Sequence, residues 1–200
     1  NQGADMDEVA ALAREVAAAG GGYATHMRNE ADRVLDSLDE TFATARAASV
    51  PVIISHHKCA GPANWGRTVE TLPRIAAAAQ EQPVGLDAYP YIAGSTVLKP
   101  ELADGRIRIM VTWSEPYPAM AGRDLALIAQ EWGVTQREAC ERLQPGGAVY
   151  FQMREDDVRR VLAFPATMIG SDGLPHDLHP HPRLWGTFPR VLGHYSRELG

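Results

Sequence analysis

Hydrophobic positions along this chain change period repeatedly, and the changes set out the fold before any chemistry is considered. Residues 5–19 repeat Val9, Leu12, Ala13 and Val16 at helical spacing, behind Asp5, Asp7 and Glu8, acids where the helix dipole favours them. Gly20, Gly21 and Gly22 end that helix, and 23–28 follows as a short strand. A second helix is expected over 30–48 through Val34, Leu38, Phe42 and Ala45. It leads into Pro51, Val52, Ile53 and Ile54, an apolar, β-branched run that reads as a strand buried on both faces. That run ends abruptly in Ser55, His56, His57, Lys58 and Cys59. Residues 64–67 turn the chain into a helix over about 68–81, and a strand at 84–89 is bounded by Pro83 and Pro90. Helix and strand alternate, as in parallel α/β sheets, where active sites collect at the C-terminal ends of the strands.

The pattern breaks after residue 91, and the next strand of the same character comes only at 166–171. A single crossover does not need so much chain. The excess, 92–153, holds a strand candidate at 107–112, a Pro-interrupted loop at 113–118, a helix at 121–132 and a second helix. The last starts at Thr135 with Glu138 three positions on, the capping-box spacing. The expected organisation is therefore barrel-type βα units over 1–91, an inserted subdomain over 92–153, and a last strand with a closing helix over 154–200. Inserted at a strand's C-terminal end, the subdomain would lie over the active site as a lid; an ordinary surface excursion is the alternative.

Composition narrows the class. Of 200 residues, 45% are hydrophobic and 22% charged, which suits a globular chain with a substantial core. A formal charge of -6 without a Lys/Arg run argues against nucleic acid as a partner. No span approaches the ~20 apolar residues of a membrane helix, so no membrane role is expected. Two cysteines make no disulfide framework, and the N-terminus has neither an initiating Met nor the arrangement of a signal peptide. The chain reads as the middle of something longer, in a reducing cytoplasm.

Candidate chemistry sits at strand ends. His26 and His56 are 30 residues apart, each ending a strand with a helix between them. Adjacent parallel strands lie about 4.8 Å apart, so the two imidazoles can reach one ion at about 2.0–2.1 Å. Structural, hydrogen-bonded histidines would occupy the same places. Asp172, in Gly-Ser-Asp-Gly, suits a metal ligand, a base that deprotonates a water, or simply an Asx turn. Arg28, Lys58, Tyr89, Ser95 and Arg183 stand near strand ends or in the following loops, a set suited to a substrate carboxylate. His57 alternates to the opposite face from His56 and reads as structural, as does Cys59. His176, His179 and His181 have the composition of a metal cluster, but their Pro-rich loop reads as a pocket rim. No Gly-x-Ser-x-Gly elbow or phosphate-cradling glycine loop is present.

Taken together, 23–30 (Tyr-Ala-Thr-His-Met-Arg-Asn-Glu), 54–58 (Ile-Ser-His-His-Lys), 87–91 (Asp-Ala-Tyr-Pro-Tyr), 169–175 and 181–190 resemble the N-acyl-D-amino-acid deacylases, or D-aminoacylases, of the amidohydrolase superfamily. The resemblance implies an α/β fold, a distorted (β/α)8 TIM-like barrel, of which the chain would supply about the last four βα units and an inserted lid. It implies zinc (Zn2+) as cofactor, with His26 and His56 as ligands beside a cysteine on an earlier strand. Asp172 would be catalytic base and then acid; Lys58, Tyr89 and Arg183 would hold the α-carboxylate of an N-acyl-D-amino acid, and Ser95 would lie near the substrate. Members also carry an early His-x-His pair and that cysteine, which this sequence lacks. The missing N-terminal half of the barrel is accordingly expected from the same parent chain. A related hydrolase of cyclic amides or other N-acyl amines, or an inactive half-barrel, are the alternatives.

Overall fold

The computed structural model describes residues 3–175 and 177–200. The fold is α/β, and its contacts divide it into two compact units. One comprises the chain up to Tyr89 with Arg154–Gly170; the other comprises Pro90–Met153 with Ser171–Gly200.

The first unit is built on four short parallel strands. Helix α1 (Met6–Ala18) starts at Asp5, whose carboxylate accepts the Glu8 backbone N–H at 2.8 Å. Strand β1 (Tyr23–Thr25), helix α2 (Val34–Ala48), strand β2 (Val52–Ile54), helix α3 (Thr68–Ala78) and strand β3 (Val84–Ala88) follow. Helix α6 (Glu155–Leu162) and strand β7 (Thr167–Ile169) complete it. The strands run β1-β2-β3-β7, with Thr25 beside Ile54, Ile54 beside Leu86, and Ala88 beside Ile169.

The apolar stripe of α2 closes on this sheet. Val34, Leu38 and Phe42 pack with Ile54, Leu72, Ile75, Leu86 and Val161, and a smaller cluster of Ala13, Ala45, Ala48, Val50 and Val52 lies beside them. Helix α3 has no side-chain cap at Arg67. Its start is capped from α6 instead: buried Asp157 accepts the Gly66 N–H at 2.6 Å, the Thr68 N–H at 3.4 Å and the Thr68 hydroxyl. α2 begins at Val34 rather than near 30 because the Asn29 side chain takes the N–H groups of Ala31 and Arg33 at 2.9 and 3.1 Å.

The second unit carries an antiparallel sheet in the order β4-β6-β5, from β4 (Gly94–Val97), β5 (Ile109–Ser114) and β6 (Gly146–Tyr150). Helices α4 (Leu125–Trp132) and α5 (Gln136–Arg142) bury Leu125, Ile128, Ala139 and Cys140 against Val111, Ala148 and Tyr150. The capping box at Thr135 and Glu138 forms. Two of these strands, β4 and β6, do not show in the sequence pattern, yet all five residues of β6 are buried. Between β5 and β6 a bulge at Thr112 turns its carbonyl to the His179 N–H, 3.3 Å away.

Helix α7 runs over Arg183–Arg190 and continues as a π-helical stretch over Val191–Glu198. The closing helix expected within 154–200 thus begins at Arg183. It groups with the second unit. Among the described residues no helix is long and apolar enough to cross a membrane.

Candidate functional site

Register brings the first pair of side chains together. β1 and β2 end side by side at Thr25 and Ile54, and the chain leaves both strands in the same direction. His26 follows one and His56 the other, and His26 Nδ1 stands 3.0 Å from His56 Nε2. The exit of β2 is a tight turn: Ser55 N–H donates to the Thr25 carbonyl at 2.9 Å, and His56 takes a left-handed backbone with φ +41°.

Asp87 of β3 holds that turn. Its carboxylate accepts the His56 N–H at 2.8 Å and the Ser55 hydroxyl at 3.1 Å, while its backbone carbonyl accepts the His57 N–H at 2.8 Å. Gly170, just past β7, leaves space for this carboxylate. A Cβ at 170 would lie 2.7 Å from Asp87 Oδ1.

Below the imidazoles lies Glu30, which the sequence reading did not single out. Its side chain is 11% exposed, and its Oε1 lies 2.9 Å from His56 Nδ1, 2.7 Å from Lys58 Nζ and 4.0 Å from His26 Nδ1. Burial pushes this carboxyl up, but the Lys58 charge, the hydrogen bond and charge of His56 and the charge of His26 outweigh it and hold it at about 2. Lys58 Nζ is also 2.7 Å from His56 Nδ1 and stands 5.8 Å from the ring centre of buried Tyr89. The available signal was spacing, since Glu30 is four residues beyond His26 in the same loop.

His26, Glu30 and His56 offer three potential ligand atoms within 4.8 Å of one another. Two nitrogens of a tetrahedral ion at about 2.0–2.1 Å lie about 3.4 Å apart, close to the 3.0 Å separation seen here. The imidazole pair fits a metal. The cysteines do not join it: Cys59 is packed in the core with its thiol pushed up to about 12 by burial, and Cys140 is buried in the second unit at about 11 for the same reason.

Other expected residues are placed differently. Arg28 is not free for a carboxylate ligand, because Glu40 of α2 holds it at 2.6–3.0 Å through Nε and Nη2. His57 is buried with Nε2 2.9 Å from the Thr71 hydroxyl, and burial lowers its pKa to about 4. It is structural, as expected.

A second constellation lies in the second unit. Asp172 has a left-handed backbone, φ +47°, and its Oδ2 is 2.7 Å from Nη1 of Arg183, a side chain only 2% exposed. Arg183 Nη2 donates to the Ser95 carbonyl at 3.1 Å, while the Ser95 hydroxyl donates to the Ala148 carbonyl at 3.3 Å within the sheet. Ser95 thus meets Arg183 through its main chain. His181 Nδ1 accepts the Arg183 N–H at 2.9 Å, and the ring stands edge-on to Tyr91 at 5.1 Å. Burial, with Arg183 adding to it, lowers the His181 pKa to about 4, so the ring is neutral. His179 lies against Gly122. His176 is outside the described residues.

Comparison with known proteins finds relatives over nearly the whole chain. No protein-family model matches the chain. The D-aminoacylase of Alcaligenes xylosoxydans xylosoxydans is 55% identical over 197 residues, 98% of this chain and 41% of that protein. Structures of D-aminoacylase, one described as defining a novel subset of amidohydrolases and another by its binuclear metal center, align with TM-scores of 0.94 and 0.93. Their identities are 56% and 55%, each over 98% of this chain and 41% of the other. The N-acyl-D-glutamate deacylase of Bordetella bronchiseptica, complexed with zinc and a phosphonate mimic of the tetrahedral intermediate, aligns at TM-score 0.95 and 47% identity over 98% of this chain and 42% of that one. The chain is thus a homologue of the D-aminoacylases and N-acyl-D-amino-acid deacylases, amidohydrolases of which it spans about two-fifths of the length.

Proposed function

We propose that the protein containing this chain hydrolyses N-acyl-D-amino acids to a carboxylate and a free D-amino acid. The observation that carries the reading is the pair of imidazole nitrogens 3.0 Å apart on neighbouring parallel strand ends, in a chain 55% identical to a D-aminoacylase. On this reading β1, β2, β3 and β7 are four strands of a (β/α)8 barrel, and residues 92–153 are a lid inserted after the third. His26 Nδ1 and His56 Nε2 bind zinc, with further ligands from the rest of the protein. A zinc ion there supplies Lewis acidity toward the amide carbonyl and the attacking water.

The remaining steps belong to side chains. Asp172 takes a proton from the attacking water and returns it to the leaving nitrogen, so that the amide C–N bond breaks. Arg183, Lys58 and Tyr89 hold the substrate's α-carboxylate, with Ser95 beside it, and three-point placement selects the D-configuration. Arg183 has a second duty, since its Nη1 fixes the Asp172 carboxylate.

The test is a panel of N-acetyl-D-amino acids with neutral and acidic side chains, set against their L-forms, hydantoins and lactams, assayed on the full-length protein. Turnover confined to N-acyl-D-amino acids is expected, and Asp172→Asn should remove most of it while zinc stays bound. Hydrolysis of cyclic amides alone would replace the proposed substrate class. Full activity in Asp172→Asn would remove Asp172 from its role.

A further inference from the structure

The mechanism leaves one carboxylate at the imidazole pair, mostly shielded from solvent, without a role. Glu30 lies in the loop after β1, and its Oε1 makes two close contacts: His56 Nδ1 at 2.9 Å and Lys58 Nζ at 2.7 Å. The other ring nitrogen of His56, Nε2, faces His26. The ring therefore has a metal side and a Glu30 side.

A neutral imidazole carries one N–H. To offer the Nε2 lone pair to an ion, His56 must keep its proton on Nδ1, and that proton needs an acceptor. Two groups compete at Nδ1. Glu30 Oε1 accepts, whereas the Lys58 ammonium, 2.7 Å away, can only donate. If the lysine's hydrogen goes to Nδ1, the ring's own proton moves to Nε2 and blocks the metal side. The carboxylate decides the contest, because one oxygen draws both the imidazole N–H and the ammonium hydrogens onto itself. With Oε1 engaged twice, Glu30 is better suited to orient a ligand than to be one.

We propose that Glu30 is a positioning residue of the metal site, which holds His56 as the Nδ1–H tautomer and keeps Lys58 from donating to it. The proposal rests on the reading of His56 as a ligand, and its test separates the two. The full-length protein, stripped of metal and carrying 15N-labelled histidine, is titrated with zinc against a chromophoric chelator, and its ring-nitrogen shifts are recorded. In the unsubstituted protein the His56 proton should sit on Nδ1. Glu30→Ala should move it to Nε2 and weaken zinc binding about 10- to 100-fold. Glu30→Gln, which keeps an acceptor oxygen, should lose less. Adding Lys58→Met to Glu30→Ala should recover part of the affinity, because the competing donor is gone; a merely structural role for Glu30 would give no such rescue.

A proton found on Nε2 in the unsubstituted protein overturns the proposal before any variant is made. Unchanged tautomer and affinity in Glu30→Ala, with zinc lost in His56→Ala, also overturns it and leaves the metal site standing. Zinc binding unaffected by His56→Ala removes the ligand reading, and the proposal with it.

Discussion

Asp87→Ala tests whether the turn at the end of β2 is held from β3. The substitution removes an acceptor from the His56 N–H and the Ser55 hydroxyl, at 2.8 and 3.1 Å, while the backbone bond from His57 to the Asp87 carbonyl stays. Hydrogen bonds to a charged group contribute about 1.5–3 kcal/mol each, and Asp87 is only half-buried, so the lower end applies and the loss is ~3 kcal/mol. Part of this returns. His56 is held at φ +41°, a conformation that costs a non-glycine residue roughly 1 kcal/mol, and a freed turn relaxes. The expected net destabilisation is about 2 kcal/mol, with zinc binding weakened tenfold or more as the His56 ring leaves its place opposite His26. Urea unfolding and zinc titration of the full-length protein measure the two effects, and Asp87→Asn, which keeps an acceptor oxygen, should show about half the loss. A change below ~0.5 kcal/mol with zinc affinity unaltered would refute the view that the carboxylate shapes the site.

Two further outcomes follow from the polar groups that the fold buries. Asp157→Ala leaves the Gly66 and Thr68 N–H groups uncapped at the start of α3 and should cost about 2–4 kcal/mol in urea unfolding, with the half-exposed Arg160 pair adding little; a loss under 1 kcal/mol would show that water or a shifted turn caps the helix as well. His181 stays neutral when folded, with a pKa near 4 against 6.5 ordinarily, so the unfolded chain takes up a proton across that window and the folded chain does not. Its contribution is therefore complete above pH 6.5 and falls as pH drops toward 4, by up to ~3 kcal/mol. His181→Gln should flatten the decline in urea midpoint between pH 7 and 5, and an equal decline in both proteins would contradict the assignment.

The parallel unit was legible because its information is local. Runs such as Val52-Ile53-Ile54 and the 3.6-residue repeat of Val34, Leu38 and Phe42 announce themselves, and βα alternation fixes which strands are neighbours. His26 and His56 could be paired for that reason alone. Arg28 was misread because its partner, Glu40, lies twelve positions away on a helix, and nothing in the spacing shows which way the guanidinium turns. Glu30 went unnoticed for a related reason. A polar residue in a polar loop carries no periodicity, so its return beneath His56 is a fact of three dimensions. β6 stayed hidden because glycine marks turns in sequence, whereas here Gly147 lies where a Cβ would meet the Trp113 indole nitrogen at 2.5 Å, a demand set by the neighbouring strand.

The space at Gly170 constrains how such proteins can diverge. A Cβ there would press on the Asp87 carboxylate, so positions 87 and 170 cannot drift independently. An alanine at 170 is compatible with this site only where 87 has been shortened or the β2 exit rebuilt. Across homologous sequences the two positions should vary as a pair, although they lie 83 positions apart in the chain. A homologue with aspartate at 87 and a larger side chain at 170 must have found another way to hold its second histidine.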